Sequence, residues 1–217
     1  MNRDPSARSI FFRAISFFFA AVFATAAAAA TATWQIDPVH SSVTFSIRHM
    51  MISNVHGEFS KVTGTVVGDP KVPAEATIEA TIELASINTH EPQRDADLKS
   101  PNFFDVAKYP AMTFKSRKIE QVASGKLKVT GDLTLHGVTK EVVLDVDGPT
   151  PEVKDPWGNI RVGATATTKI SRKDFGMTYN KLLDSGGVVV GDEVTITLEV
   201  ELIKKAAPAE GGKKASP

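Results

Sequence analysis

Cysteine is absent from all 217 residues of the chain. Without a thiol it can build no disulfide scaffold, thiolate metal site, cysteine nucleophile or lipid anchor on an N-terminal Cys. Net charge is absent as well. The 25 Lys+Arg balance 25 Asp+Glu and leave no cationic surplus to neutralise phosphates, which excludes a nucleic-acid binder. Tryptophan and tyrosine are scarce, two each. The uncharged stretch Ala14–Ala30, as a helix, would reach only about 26 Å, short of the ~30 Å hydrocarbon core of a bilayer.

What is present falls into three parts. Residues 1–32 start with Arg3, Arg8 and Arg13 against Asp4, continue through the apolar stretch and end at Ala30-Thr31-Ala32. A basic start, an apolar run and an Ala-x-Ala site are the parts of a secretory signal peptide. Residues 204–217 hold four Lys and one Glu among Ala, Gly and Pro. Such a composition cannot bury enough apolar area to offset ordering, so a disordered basic tail is expected. Setting both ends aside leaves residues 33–203 with a net charge of −5.

In this middle part the dominant period is two, the repeat of a strand whose side chains point alternately to opposite faces. Val43–Arg48, Ala76–Leu84, Leu127–Leu135 and Val194–Leu202 alternate apolar with polar residues. Further strands are expected at 55–67, 111–119, 140–147 and 160–170, with a short one at Trp34–Asp37. Gly68-Asp69-Pro70, Ser124-Gly125, His136-Gly137 and Asp155–Asn159 mark turns. About eight antiparallel strands with one apolar face make a sandwich or a closed barrel. Asn88–Pro110 breaks the alternation. It predicts one or two short helices, with Ser100-Pro101 suited to N-cap and first-turn positions.

Should the strands close into a barrel, the alternation turns Val43, Phe45, Ile47, Ile78, Ala80, Ile82, Leu84, Phe114, Leu127, Val129, Gly131, Leu133, Leu135, Val162, Ala164, Ala166 and Ile170 inward. Phe103 and Phe104 either plug a barrel end, line an entrance, or pack the crossover on the sheet. Ala80, Gly131, Ala164 and Ala166 admit two readings: an elongated dry cavity, or the taper of a filled barrel. A cavity so lined would select a hydrocarbon-like ligand, and its length suits a long lipid chain.

Four separated motifs carry a family resemblance. They are Ile36–Phe45, Arg94-Asp95 with Ser100–Pro110, Gly131–Lys140 and Ser171–Met177. Together they resemble the YceI family in the right order over residues 34–203. The resemblance implies an all-β, lipocalin-like, eight-stranded antiparallel β-barrel exported to the periplasm. It implies a bound amphiphile with a long isoprenoid tail, quinone-like or prenyl, or a fatty-acid-like acyl chain. It implies no catalysis and no cofactor beyond that lipid. Partners expected on this reading are the lipid and no nucleic acid, with transient membrane contact and a homodimer left open.

A polar head group needs donors at the mouth, and Arg94, Arg172 and Asn180, all in non-strand segments, are the candidates. The five His, His40, His49, His56, His90 and His136, form no metal-ligand pair such as HxH or HExxH. His136 reads as a turn residue and His40 as a strand-start partner of the backbone. His49 and His56 flank one connection and could face each other, which is the starting point for an alternative, enzymatic reading. A third reading has the acidic barrel and basic tail serve a protein partner. No G-x-S-x-G elbow or phosphate-cradling glycine loop is present.

Overall fold

The computed structural model describes residues 31–184 and 186–206. The expected leader therefore lies outside the described residues up to residue 30, and the expected tail from residue 207 on.

Twelve strands form one sheet. They are β1 (Ala32–Ile36), β2 (Ser42–His49), β3 (Ser53–Phe59), β4 (Val62–Gly68), β5 (Thr77–Glu83), β6 (Ile87–Asn88), β7 (Ala111–Ala123), β8 (Lys126–Leu135), β9 (Val138–Asp147), β10 (Val153–Lys154), β11 (Ile160–Ser171) and β12 (Val190–Lys204). Several are halves of one longer strand. β1 and β2 both pair with β12, β4 pairs with β1 as β3 does with β2, and β5 and β6 continue the series on β4 and β3. β5 then pairs with β7, β7 with β8, β8 with β9, β9 with β11, and β11 with β12, which returns to β1 and β2. The result is a closed antiparallel β-barrel of eight staves, each beside its sequence neighbour. Closure removes the edges except along the part of β9 that β11 does not pair.

The expected strand over 55–67 is broken at Ser60-Lys61, where Ser60 N–H turns aside to Ser86 C=O. The single α-helix among the described residues is α1 (Pro92–Lys99) in the 89–110 crossover. It starts about two and a half turns earlier than the Ser-Pro pair predicts. Pro92 holds the first turn, Glu91 caps it by accepting from Gln93 and Arg94 N–H, and Ser100 sits at the C-terminal cap instead. His136 takes the turn position expected of it, with φ of 52° before Gly137 at 75°.

Candidate ligand-binding site

The ladders bring the inward positions together in rings. Val43, Phe45 and Ile47 of β2 stand opposite Leu198, Ile196 and Val194 of β12, which stand opposite Ala166, Thr168 and Ile170 of β11. On the far wall Ile78, Ala80 and Ile82 meet Phe114 and Met112 of β7, and these meet Leu133 and the rest of the apolar face of β8. Val162 and Ala164 continue the β11 row, and Leu84, completely buried, follows in the turn after β5. Val43, Ile82, Leu133, Leu135 and Val162 are buried in the main core. Phe45, Ile47, Phe114, Val142, Val194, Ile196, Leu198 and Val200 point the same way yet stay partly exposed. An inward side chain that still meets solvent implies unfilled space in the lumen, because close-packed interiors leave almost none.

The small residues do not all contribute to that space. A Cβ placed on Gly131 would lie 2.5 Å from Phe114 Cζ, and one on Gly57 would lie 2.5 Å from Phe45 Cζ. Each glycine is a seat for a phenylalanine ring from the neighbouring strand, so Gly131 is occupied volume.

Both ends of the barrel are covered. Trp34, 1% exposed, floors one end, with its Nε1–H donating to Gly68 C=O at 3.4 Å and Lys204 Nζ lying 5.1 Å from its ring. The other end is plugged by Phe175 and Met177, both buried, from the 3₁₀ turn at Arg172–Phe175 and the chain after it. The crossover joins this plug, with Phe103 edge-on to Tyr179 at 5.4 Å and Phe104 edge-on to Phe59 at 5.8 Å.

The wall itself is open along one seam. β9 and β11 pair only through Thr165–Asp147, Ala166–Val146 and Thr167–Asp145. Past that point Thr168 Oγ1 donates to Val143 C=O at 2.8 Å and the strands part. The gap is a cleft of about 610 Å³ whose lining includes Val142, Ile170 and Phe175 of the main core, with Lys140, Lys169, Glu141, Asp145 and Asp174 at its surface. Lys140 occupies an inward register position, opposite Leu133, yet is exposed. No acidic partner for it occurs among the described residues, whereas Lys169 pairs with Glu193 at 2.8 Å.

The expected head-group donors are committed elsewhere. Arg172, 3% exposed, donates to the carbonyls of Gly191 (2.8 Å), Met177 (2.6 Å), Tyr179 (2.9 Å) and Val190 (3.4 Å) and meets Asp192 at 3.3 Å. Burial pushes its pKa down and Asp192 opposes the shift. Asn180 bonds the backbone of Val190 through both its oxygen and its nitrogen. Arg94 clamps Thr89 through its hydroxyl and carbonyl, both at 2.8 Å. All three hold the plug or the crossover in place. Lys140 is the polar residue that the sequence reading missed, and its signal was there: a lysine in the apolar register Val138, Val142, Leu144, Val146.

Two further clusters bear on chemistry. Asp37, His40 and Glu201 converge closely enough to hold a cation, but Arg161 Nη1 reaches Asp37 at 2.6 Å and Glu201 at 2.5 Å, while its Nε reaches Asp155 at 2.7 Å. The guanidinium fills the place of a metal. Hydrogen bonds from His40 and Arg161 hold the Asp37 carboxyl far below the usual carboxylate range. Burial would raise Asp155, yet bonds from Arg161, Asn159 and Trp157 outweigh it and hold that group at about 2. His49 and His56 do not face each other. His56 stands opposite Ser46 on the outer face, whereas His49 falls in the inward register of Phe45 and Ile47. Opposite faces of one sheet cannot serve one reacting atom.

An eight-stranded antiparallel barrel with an accessible apolar interior and a lateral cleft belongs to the lipocalin-like class of containers. The YceI-like domain family matches residues 34–202. The protein YceI of Escherichia coli O157:H7 is 38% identical over 161 residues, covering 73% of this chain and 83% of that one. The one from Salmonella agona is 37% identical over 166 residues, covering 76% and 86%. The chain belongs to the YceI-like family. Among solved structures, the Campylobacter jejuni YceI protein superposes with a TM-score of 0.62 at 35% identity, covering 74% of this chain and 91% of that one. BcnA of Burkholderia cenocepacia gives 0.65 at 25% identity over 76% and 98%. A domain from Saccharophagus degradans described as polyisoprenoid-binding gives 0.58 at 16% identity over 79% and 98%, a likeness of fold.

Proposed function

We propose that this protein is an exported lipid carrier. It holds an amphiphile with a long isoprenoid or acyl chain, quinone-like or prenyl among them, inside the barrel and performs no covalent chemistry on it. The observation that carries the reading is the partly exposed apolar wall of the lumen, reached through the β9–β11 cleft while both barrel ends are covered. A hydrocarbon chain entering there leaves water for an apolar wall and leaves no polar group unpaired. The head group rests at the cleft surface, where Lys140 offers a charge-assisted bond to a phosphate or carboxylate. Export to the periplasm is supported by the basic, apolar leader and the Ala-x-Ala site. The polyisoprenoid-binding description of the Saccharophagus degradans domain supports the choice of ligand class.

The test is native export, purification and extraction with organic solvent, followed by mass spectrometry of the extract. A stoichiometric prenyl or acyl lipid is expected. A lipid-free extract together with no uptake of fluorescent prenyl or acyl probes overturns the reading. Lys140→Glu is expected to weaken an anionic probe about tenfold, the loss of one charge-assisted contact, and to spare a neutral long-chain alcohol.

A further inference from the structure

The tip of the β2–β3 hairpin breaks two local rules at once. The turn from His49 to Ile52 is closed by Ile52 N–H donating to His49 C=O at 3.1 Å. Its central residues, Met50 and Met51, both hold left-handed backbone, with φ of 49° and 62°. Tight hairpin turns of this kind favour Asn-Gly, because a side chain with φ above zero is strained. Here two methionines accept that strain, and with Ile52 they form three consecutive large apolar residues in water, Ile52 at 77% exposure. A turn needs neither the strain nor the exposure for folding, and features of this sort concentrate where a surface is used.

The hairpin tip does not stand alone. Met50 N–H donates to Val189 C=O at 2.7 Å, and Val189 N–H to Lys181 C=O at 3.0 Å, which seats Leu182 in the adjoining loop, 84% exposed. Cations sit at the base of this apolar knob. Arg48 holds Met51 C=O at 2.9 Å and has no acidic partner among the described residues, and Lys181 is exposed; Asp184 is the one nearby carboxylate in the loop. Val190, where β12 begins, stands opposite His49, so the knob lies over the plugged end of the barrel that holds Arg172 and Phe175. The β9–β11 cleft shares Phe175 with that plug.

We infer that this knob docks the protein on a lipid bilayer: Met50, Met51, Ile52 and Leu182 enter the headgroup–acyl boundary while Arg48 and Lys181 lie at the level of anionic headgroups. Unbranched methionines adapt to irregular surroundings, and apolar residues under a cationic collar are the pattern of interfacial insertion. Docking at this end brings the cleft beside the membrane from which an amphiphile is drawn. That last step rests on the carrier reading; the docking itself does not.

The test uses the mature chain, which has no cysteine to complicate labelling, and vesicles of phosphatidylcholine with and without phosphatidylglycerol. The protein is expected to co-sediment with the mixed vesicles and more weakly with pure phosphatidylcholine. Met50→Asn with Met51→Gly installs the residues that the turn geometry favours, so this variant is expected to melt no lower than the parent. It is nevertheless expected to lose vesicle binding about tenfold, as is Leu182→Ser. Equal binding by parent and variants overturns the inference. Self-association abolished by the same variants, without vesicle binding, also overturns it, since the knob then meets a second copy. Uptake of a prenyl probe dispersed from ethanol separates the two readings: the variants are expected to load from dispersion like the parent and slowly from vesicles. A parent that binds vesicles through the knob but loads no probe leaves docking standing and sinks the carrier reading.

Discussion

The seating of Phe45 on Gly57 can be tested as a coupled pair. A Cβ on Gly57 would lie 2.5 Å from Phe45 Cζ, 2.8 Å from its Cε1 and 2.8 Å from Thr89 Cγ2. All three neighbours are side-chain atoms, so Gly57→Ala can be accommodated, but only by swinging the ring off its seat. Such overpacking costs roughly 1–3 kcal/mol, against which alanine regains about 0.5–1 kcal/mol of backbone entropy in a strand. Net destabilisation of about 0–2.5 kcal/mol is expected. Phe45→Leu alone removes part of a ring that touches Phe59 at 5.7 Å and costs about 1 kcal/mol, a low figure because the ring is partly exposed. In the double variant the shorter leucine vacates the seat, the clash disappears and the strand keeps its entropic gain. The double variant should therefore be more stable than the sum of the singles by about 1–3 kcal/mol. Urea unfolding followed by tryptophan fluorescence supplies the four free energies, with Trp34 as a reporter inside the core. Additivity within about 0.5 kcal/mol would falsify the seating and, with it, the claim that the glycines accommodate neighbouring rings and add nothing to the cavity.

Arg172→Met is expected to destabilise by roughly 3–5 kcal/mol in urea, because the carbonyls of Gly191, Met177 and Tyr179 lose this donor at once while that of Val190 keeps only Asn180; a cost below about 1 kcal/mol would show that the plug does not depend on this clamp. Asp37 and Asp155 have depressed pKa values in the folded state, so their stabilisation is complete above the ordinary carboxylate range near pH 4 and drains away as pH falls toward about 2. Thermal melts between about pH 5 and 2 should accordingly fall steeply for the parent and less steeply for Asp37→Asn, and parallel slopes would refute the role of the Arg161 cluster. The β9–β11 register, continued beyond Thr167–Asp145, would bring Lys169 opposite Val143. A disulfide between Val143→Cys and Lys169→Cys should close the cleft and slow probe uptake until reduced, while a lock at the already paired Thr167 and Asp145 leaves the rate alone; equal rates in all states would show that the lipid enters elsewhere.

The barrel was legible in the sequence because its determinant is local: period-two alternation places Val43, Phe45 and Ile47 on one face whatever their partners turn out to be. The same alternation points to Lys140, although a charged residue in an apolar register looks like the end of a strand until its neighbours are known to face inward. Pairwise determinants were not legible. Gly131 reads as space and becomes a ring seat only once β7 is laid beside β8 in its actual register. Arg172 reads as an exposed loop cation, but its partners are carbonyls up to nineteen positions away, including Gly191. The helix start is not legible because Ser-Pro is the stronger capping signature, whereas Glu91 caps through a longer side chain whose competence depends on the entering backbone. Whether His49 and His56 face each other depends on the hairpin register, which puts them on opposite faces of the sheet.

The two ends of the barrel differ in how they are built, and the difference bears on what the molecule can do. At the Trp34 end, one guanidinium ties three carboxylates from separate segments: Asp37 after β1, Asp155 beside β10 and Glu201 on β12. Those bonds cross the points where strands would otherwise splay, and Lys126 with Asp147 adds another across β8 and β9. At the Phe175 end the closure comes from a 3₁₀ turn and loops held by side chain-to-backbone bonds, next to a seam whose ladder has run out. Loop-borne closures sit at the low-stability end of a fold's local opening energies, whereas ladder-rich, ion-paired corners open last. The strained Met50-Met51 turn and the unpaired segments of β9 and β11 fall at the loosely closed end. A container that must admit and release a long chain without unfolding needs this asymmetry: one end fixes the register of the staves, and only the other can part.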